Sequence, residues 1–282
     1  MQTILIGTDG YESSFDALSF GGALARTTGS RLIVAAAIEQ APLGMDAGPG
    51  DDARLGHFDR IFARVEDHLG ELPYERFDLD DEAPRALIEL AERESAELIV
   101  IGHTHRGVLS RLVSTTTGDQ LLEGAPCAVA VAPRDYAGRE HDGFGIIGVG
   151  YDGSAESRLA LVFAEELAAG LGCDLLLITA APDYEGVPDP LGSTRDTLYE
   201  ERMLAGVRGV TRASAEGKLE HGDTAKVLAT RGVELDMLVV GSRSHGRALR
   251  TLLGSVASEL IRTAPCPVIV TPRAATREEA VG

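Results

Sequence analysis

The chain has 282 residues and a formal net charge of −18, with 44% hydrophobic residues and three cysteines, a profile of a globular protein with about two domains. Such an acidic balance disfavours nucleic acid and anionic membrane surfaces as partners, and no apolar run approaches the roughly 20 residues a membrane span needs. Cys127, Cys173 and Cys266 form no CxxC pair, which argues against a disulfide framework and a structural zinc site.

The chain starts in an apolar run without a basic leader, so the expected compartment is the reducing cytoplasm. Thr3–Thr8 reads as a β-strand that stops at Asp9-Gly10. Ala17, Phe20 and Leu24 then repeat at helical spacing behind Ser13 and Ser14 as N-cap candidates, and Gly29 ends that helix. Leu32–Ile38 is a continuous apolar run of strand length. After a Gly/Pro/Asp-rich loop over 41–52, Phe58, Ile61, Phe62, Val65 and Leu69 mark a second helix. A weaker strand over Tyr74–Leu79 leads to a third helix carrying Leu87, Ile88 and Leu90, with Asp80-Asp81-Glu82 placed at its start to suit the helix dipole. Strands at Glu97–Gly102 and Cys127–Pro133 complete a set of five.

The same set then recurs. Gly124–Arg134 matches Thr263–Arg273 at an offset of 139, and Asp9-Gly10 matches Asp152-Gly153 at an offset of 143. The second copy predicts strands at Gly145–Tyr151, Asp174–Ala181, about Thr211–Glu220, Leu235–Gly241 and Cys266–Thr271. Strands apolar on both faces and separated by helices imply an α/β fold: two domains, each a five-stranded parallel sheet between helix layers. The expected division is a first domain over 1–135, a polar linker over 136–144, a second domain over 145–274 and a tail over 275–282.

In open α/β sheets ligands sit beyond the carboxyl ends of the strands, where the strand order reverses. Each copy places an Asp there (Asp9, Asp152) and follows its fourth strand with a glycine-bearing loop. In the second copy that loop runs from Gly241 to Gly254-Ser255, which opens an apolar helical stretch. Glycine allows close approach of backbone to an anion, a helix N-terminus offers free amides, and a carboxylate accepts from a sugar hydroxyl or an adenine amino group. Together these residues read as a mononucleotide pocket. Lysine occurs only at Lys218 and Lys226, so side-chain contacts to phosphate fall mainly to Arg, Ser and Thr.

The ordered set of strand-Asp-Gly, Gly-x2-Gly-x9-Gly-Ser/Thr, helix and Pro-Cys-Pro-Val strand resembles the universal stress protein family in its tandem form. That resemblance implies two Rossmann-like five-stranded domains, binding of ATP or AMP, with or without magnesium, and a role as a stress-response sensor or regulatory module. It also implies an intramolecular pseudo-dimer of the two halves through their last strands, open to further homodimerisation and to an unknown protein partner. Carried onto this sequence, the second site comprises Asp152, Gly153, Ala180, Gly241, Ser244, Gly246, Gly254 and Ser255, with Ala180 offering backbone to adenine. Ser244 stands where the pattern has its second glycine. The first copy departs further: its counterpart set is Asp9, Ala37, Gly102, His105, Gly107, Thr115 and Thr116, with His105 at the second glycine and Thr115-Thr116 in place of Gly-Ser. Tyr11 stands where the second copy has Ser154. Binding is therefore expected mainly in the C-terminal domain.

No GxxxxGK[ST] is present and no GxGxxG follows the first strand, which argues against a P-loop NTPase, a flavin or a nicotinamide cofactor. His103 and His105 read as solvated or phosphate-facing rather than as metal ligands, for want of nearby cysteine or acid. No catalytic group is assigned, and slow ATP hydrolysis is the most an enzymatic reading allows. The rival reading from another class is a nucleotide-free interaction scaffold with abandoned pockets; a third is an enzyme acting on a phosphorylated metabolite.

Overall fold

A computed structural model describes residues 1–37, 51–79, 81–103, 117–139, 143–182, 192–242 and 254–272. The chain divides into two units, Met1–Glu140 and His141–Gly282.

In the first unit the order is β1 (Thr3–Thr8), α1 (Glu12–Thr28), β2 (Arg31–Ala37), α2 (Asp51–Leu69), β3 (Glu75–Leu79), α3 (Ala83–Arg93), β4 (Leu98–Gly102), α4 (Thr117–Gly124) and β5 (Ala128–Ala132). The strands run parallel in the order β3-β2-β1-β4-β5. Chain order reverses between β1 and β4, which sets the end of β1 and the end of β4 side by side. The central strands are buried on both faces: Ile4, Leu5 and Ile6 of β1 and Leu98, Ile99 and Val100 of β4 are wholly covered. The helical periodicity of α2 is what buries Phe58, Ile61, Phe62, Val65 and Leu69.

Two expectations shift. The acids before α3 do not enter it: Glu82 is the N-cap, Asp81 Oδ1 accepts the Glu82 N–H at 2.8 Å, and Pro84 occupies the first turn, where its missing donor costs nothing. Asp80 lies outside the described residues. Tyr136 and Ala137, expected as the start of a linker, are instead packed on the first unit. Tyr136 is only 3% exposed, its ring stands edge-on to Phe20 at 5.6 Å, and the Ala137 N–H donates to Asp16 Oδ1 at 2.9 Å.

The second unit repeats the plan with β6 (Ile146–Gly150), α5 (Ala155–Leu171), β7 (Asp174–Ala181), α6 (Gly192–Gly209), β8 (Ala215–His221), α7 (Thr224–Arg231), β9 (Met237–Gly241), α8 (Ser255–Thr263) and β10 (Val268–Thr271). Its parallel strands lie in the order β10-β9-β6-β7-β8, with the reversal between β6 and β9. β8 begins four residues later than its expected start at Thr211. Glu165 of α5 accepts the Thr211 and Arg212 N–H groups at 2.6 and 2.7 Å, which holds that stretch as a turn and keeps its amides from the sheet. Those bonds also hold the Glu165 carboxyl below its ordinary range. No helix among the described residues is long and apolar enough to cross a membrane.

Candidate functional site

The carboxyl edge of the second sheet brings together three strand ends. At the middle one, β6 stops at Gly150 and the chain turns through Asp152, Gly153 and Ser154. Gly153 takes φ +78°, a conformation that L side chains rarely adopt. Half-buried Asp152 accepts the Ser154 N–H on Oδ1 at 2.9 Å. Ser154 is the N-cap of α5, its side chain accepting the Ser157 N–H at 3.1 Å. Asp-Gly-Ser is therefore a turn that launches a capped helix and holds a carboxylate at the strand end.

On one side lies β7. The Asp174 N–H donates to Gly145 O and the Ile178 carbonyl accepts from the Tyr151 N–H, so even-numbered residues of β7 face β6. Ala180 continues that alternation two residues beyond the partner of Gly150. Its amide and carbonyl thus point to the side on which β6 has already ended.

On the other side lies β9. A Cβ on Gly241 would sit 2.8 Å from Glu156 Cβ and 2.9 Å from that residue's backbone carbon and oxygen. The corresponding Gly102 of β4 is tighter still, with Ser13 O at 1.7 Å from its Cβ position. The sequence pattern connects these glycines with close approach to an anion. The approach seen here is to the first turn of α5 or α1, and that packing by itself demands glycine. Beyond Gly241, the Ser242 N–H donates to Thr271 O at 3.2 Å, and Ser242 O accepts the Gly254 N–H at 2.9 Å. Gly254 is the N-cap of α8, and no described side chain caps that helix. Its exposed first residue, Ser255, opens a turn of amides on the same edge as Asp152. Ser244 and Gly246 lie outside the described residues.

The first unit builds the same turn differently. Gly10 takes φ +76°, and exposed Asp9 accepts on Oδ1 both the Tyr11 N–H at 3.0 Å and the Ser14 hydroxyl at 2.5 Å. Tyr11 is the N-cap position of α1 but supplies no side-chain acceptor, and it is 72% exposed. Arg64 of α2, lying 4.6 Å above the Phe15 ring, donates to the Gly10 carbonyl. Ala37 ends β2 opposite Leu79. His105, Gly107, Thr115 and Thr116 lie outside the described residues, so of this set the structure brings together Asp9, Ala37 and Gly102 at one edge.

Sequence reasoning passed over Ser242 and Arg64. Ser242 carried one faint signal, a polar residue directly after an apolar strand and its terminal glycine. Arg64 carried none, because its role depends on how α2 lies against the turn. The cysteines behave as packing: burial pushes the Cys127 thiol up to about 12 and the Cys173 thiol up to about 11. Among the described residues no three His, Cys, Asp or Glu side chains form a metal-binding group.

Comparison with known proteins adds relatives to this geometry. The sequence profile described as the universal stress protein family matches twice, over residues 1–133 and 143–272. A universal stress protein of Mycolicibacterium smegmatis is 29% identical over 193 residues, covering 66% of this chain and 64% of that protein. Universal stress protein Rv2005c of Mycobacterium tuberculosis is 29% identical over 181 residues, covering 62% of this chain and 61% of that protein. The matched stretch thus spans less than two thirds of these relatives' own length. Among solved structures, a universal stress protein from Archaeoglobus fulgidus superposes with a TM-score of 0.69 at 20% identity over 96% of both chains, a likeness of fold.

Proposed function

The chain belongs to the universal stress protein family, and on that premise we propose that it binds an adenine nucleotide, ATP or AMP, in its second unit and acts as a stress-response sensor or regulatory module. The observation that carries this reading is that an uncapped helix start, Gly254-Ser255, and the half-buried carboxylate of Asp152 share the carboxyl edge of the sheet where the strand order reverses. In this reading the nucleotide's parts follow the strand order β7-β6-β9. Ala180 backbone faces the base, Asp152 the ribose, and the Gly241 loop with the α8 amides the phosphates, each about 4.8 Å from the next across the sheet. Magnesium, where present, travels with the phosphate chain.

In the first unit the proposal assigns no nucleotide. Asp9 already accepts two donors of its own turn, and Arg64 covers the adjacent carbonyl. That half serves as partner to the binding half, two family domains in one chain fitting a pseudo-dimer. The protein acts in the cytoplasm under this reading. Two measurements test it: nucleotide released on denaturing protein purified without added ligand, and calorimetric titration of the full chain with ATP and AMP. Micromolar binding lost in Gly254→Val supports the sensor. Absence of binding at millimolar nucleotide favours an interaction scaffold instead.

A further inference from the structure

Ser242 is only 6% exposed, and its main chain is engaged on both sides, to Thr271 O and to the Gly254 N–H. Its hydroxyl is not: Oγ is buried and has no hydrogen-bond partner among the described residues. Other buried hydroxyls of this unit do find acceptors. Thr179 Oγ1 donates to Tyr151 O at 2.6 Å, and Ser157 Oγ donates to Ser154 O at 3.2 Å. A buried hydroxyl left alone carries its full desolvation cost, so its retention asks what supplies the missing partner.

The pleat gives its direction. The Cβ position of Gly150 lies against the Val240 and Leu228 side chains, so Val240 faces α7. The Cβ position of Gly241 lies against Glu156, so that residue faces α5 on the opposite side. Ser242 keeps the ladder to β10 through its N–H and therefore returns to the face of Val240. There it meets the start of α8, tied to it by the bond from the Gly254 N–H to Ser242 O. The uncapped amides of α8 are donors, and an unused hydroxyl can serve as another. One acceptor common to all of them is an anionic oxygen.

We propose that Ser242 Oγ is a ligand contact, donating to a phosphoryl oxygen seated on the first turn of α8. The inference rests on the nucleotide reading above and adds to it the residue at the floor of the phosphate seat. Such a bond is charge-assisted and stronger than one between neutral groups.

The test uses the full chain, titrated calorimetrically with ATP and separately with inorganic pyrophosphate, which presents phosphoryl oxygens without base or sugar. Ser242→Ala and Ser242→Cys are compared with wild type, and each unliganded protein is melted. The expected result is a Kd for both probes raised roughly tenfold to a hundredfold in Ser242→Ala. Ser242→Cys, with the same shape and a weaker donor, falls between. Unliganded Ser242→Ala melts at or above wild type, because an unsatisfied hydroxyl has gone. Unchanged affinity in Ser242→Ala, beside a wild type that binds, overturns this inference alone and assigns the hydroxyl to water. A melting point well below wild type overturns it too, since the hydroxyl then serves the fold. A wild type that binds neither probe at millimolar concentration overturns the inference and the nucleotide reading together.

Discussion

The two Asp-Gly turns are the same device put to different uses. Both hold glycine at positive φ, and both fold the aspartate Oδ1 onto the amide two residues on. They part at the next position. Ser154 caps α5 through the Ser157 N–H, and the Ser157 hydroxyl turns to Ser154 O. Tyr11 supplies no cap, and the corresponding Ser14 hydroxyl goes to the Asp9 carboxylate instead. The Ser154/Tyr11 difference thus accompanies a redirected hydroxyl, which in the first unit donates to the Asp9 carboxylate. Here the copy that keeps its helix cap is also the copy whose sequence keeps more of the glycine pattern.

The largest expected effect tests what the copies share. In Gly102→Ala the new methyl would meet Ser13 O at 1.7 Å, so α1 or β4 must move, at a cost of about 3 kcal/mol or more. Gly241→Ala meets the Glu156 backbone at 2.9 Å and costs less, about 1–2 kcal/mol. Denaturant unfolding measures both, and a Gly102→Ala chain as stable as wild type would break the parallel between the two switch points. Next comes the cap. Ser154→Ala loses about 1 kcal/mol from the second unit, whereas Tyr11→Ser, by restoring the missing acceptor, gains up to about the same in the first. Equal and opposite shifts in the two unfolding transitions would sharpen the comparison, and a destabilising Tyr11→Ser would contradict it.

The smallest effect is a pH dependence confined to the first unit. His68 of α2 meets Ser19 Oγ of α1 at 2.7 Å and packs on the Phe15 ring at 5.2 Å. Burial, then the charge of Arg26, holds its pKa below the ordinary value, with Asp16 opposing. Such a depression disfavours the charged imidazole in the fold. Its contribution is present above pH about 6.5 and fades as the pH falls through that value toward the lower, folded one. His68→Gln should flatten the acid side of the first unit's stability profile and leave that of the second unchanged.

Much of the architecture could be read from the sequence because it depends on local periodicity and on repetition. The α2 pattern at Phe58, Phe62 and Val65 and the apolar runs of the central strands report burial directly. What escaped was tertiary. The late start of β8 follows from a carboxylate on α5, 46 residues away in the chain from Thr211. The packing of Tyr136 on Phe20 joins a polar-looking stretch to a helix laid down far earlier. At the site, the aspartates and the Gly254 helix start were legible as motifs. The reason for Gly102 and Gly241 was not, since a packing glycine and a ligand-facing glycine look identical in sequence. Nor was Ser242, because an unsatisfied hydroxyl is a property of its surroundings.

On the proposed reading one half binds nucleotide and the other does not. Calorimetric titration of the full chain with ATP tests it most directly, comparing wild type with Asp152→Ala and Asp9→Ala. One site per chain is expected, weakened at least tenfold by Asp152→Ala and unaffected by Asp9→Ala. Two equivalent sites, or a single site lost with Asp9 and kept without Asp152, would contradict it.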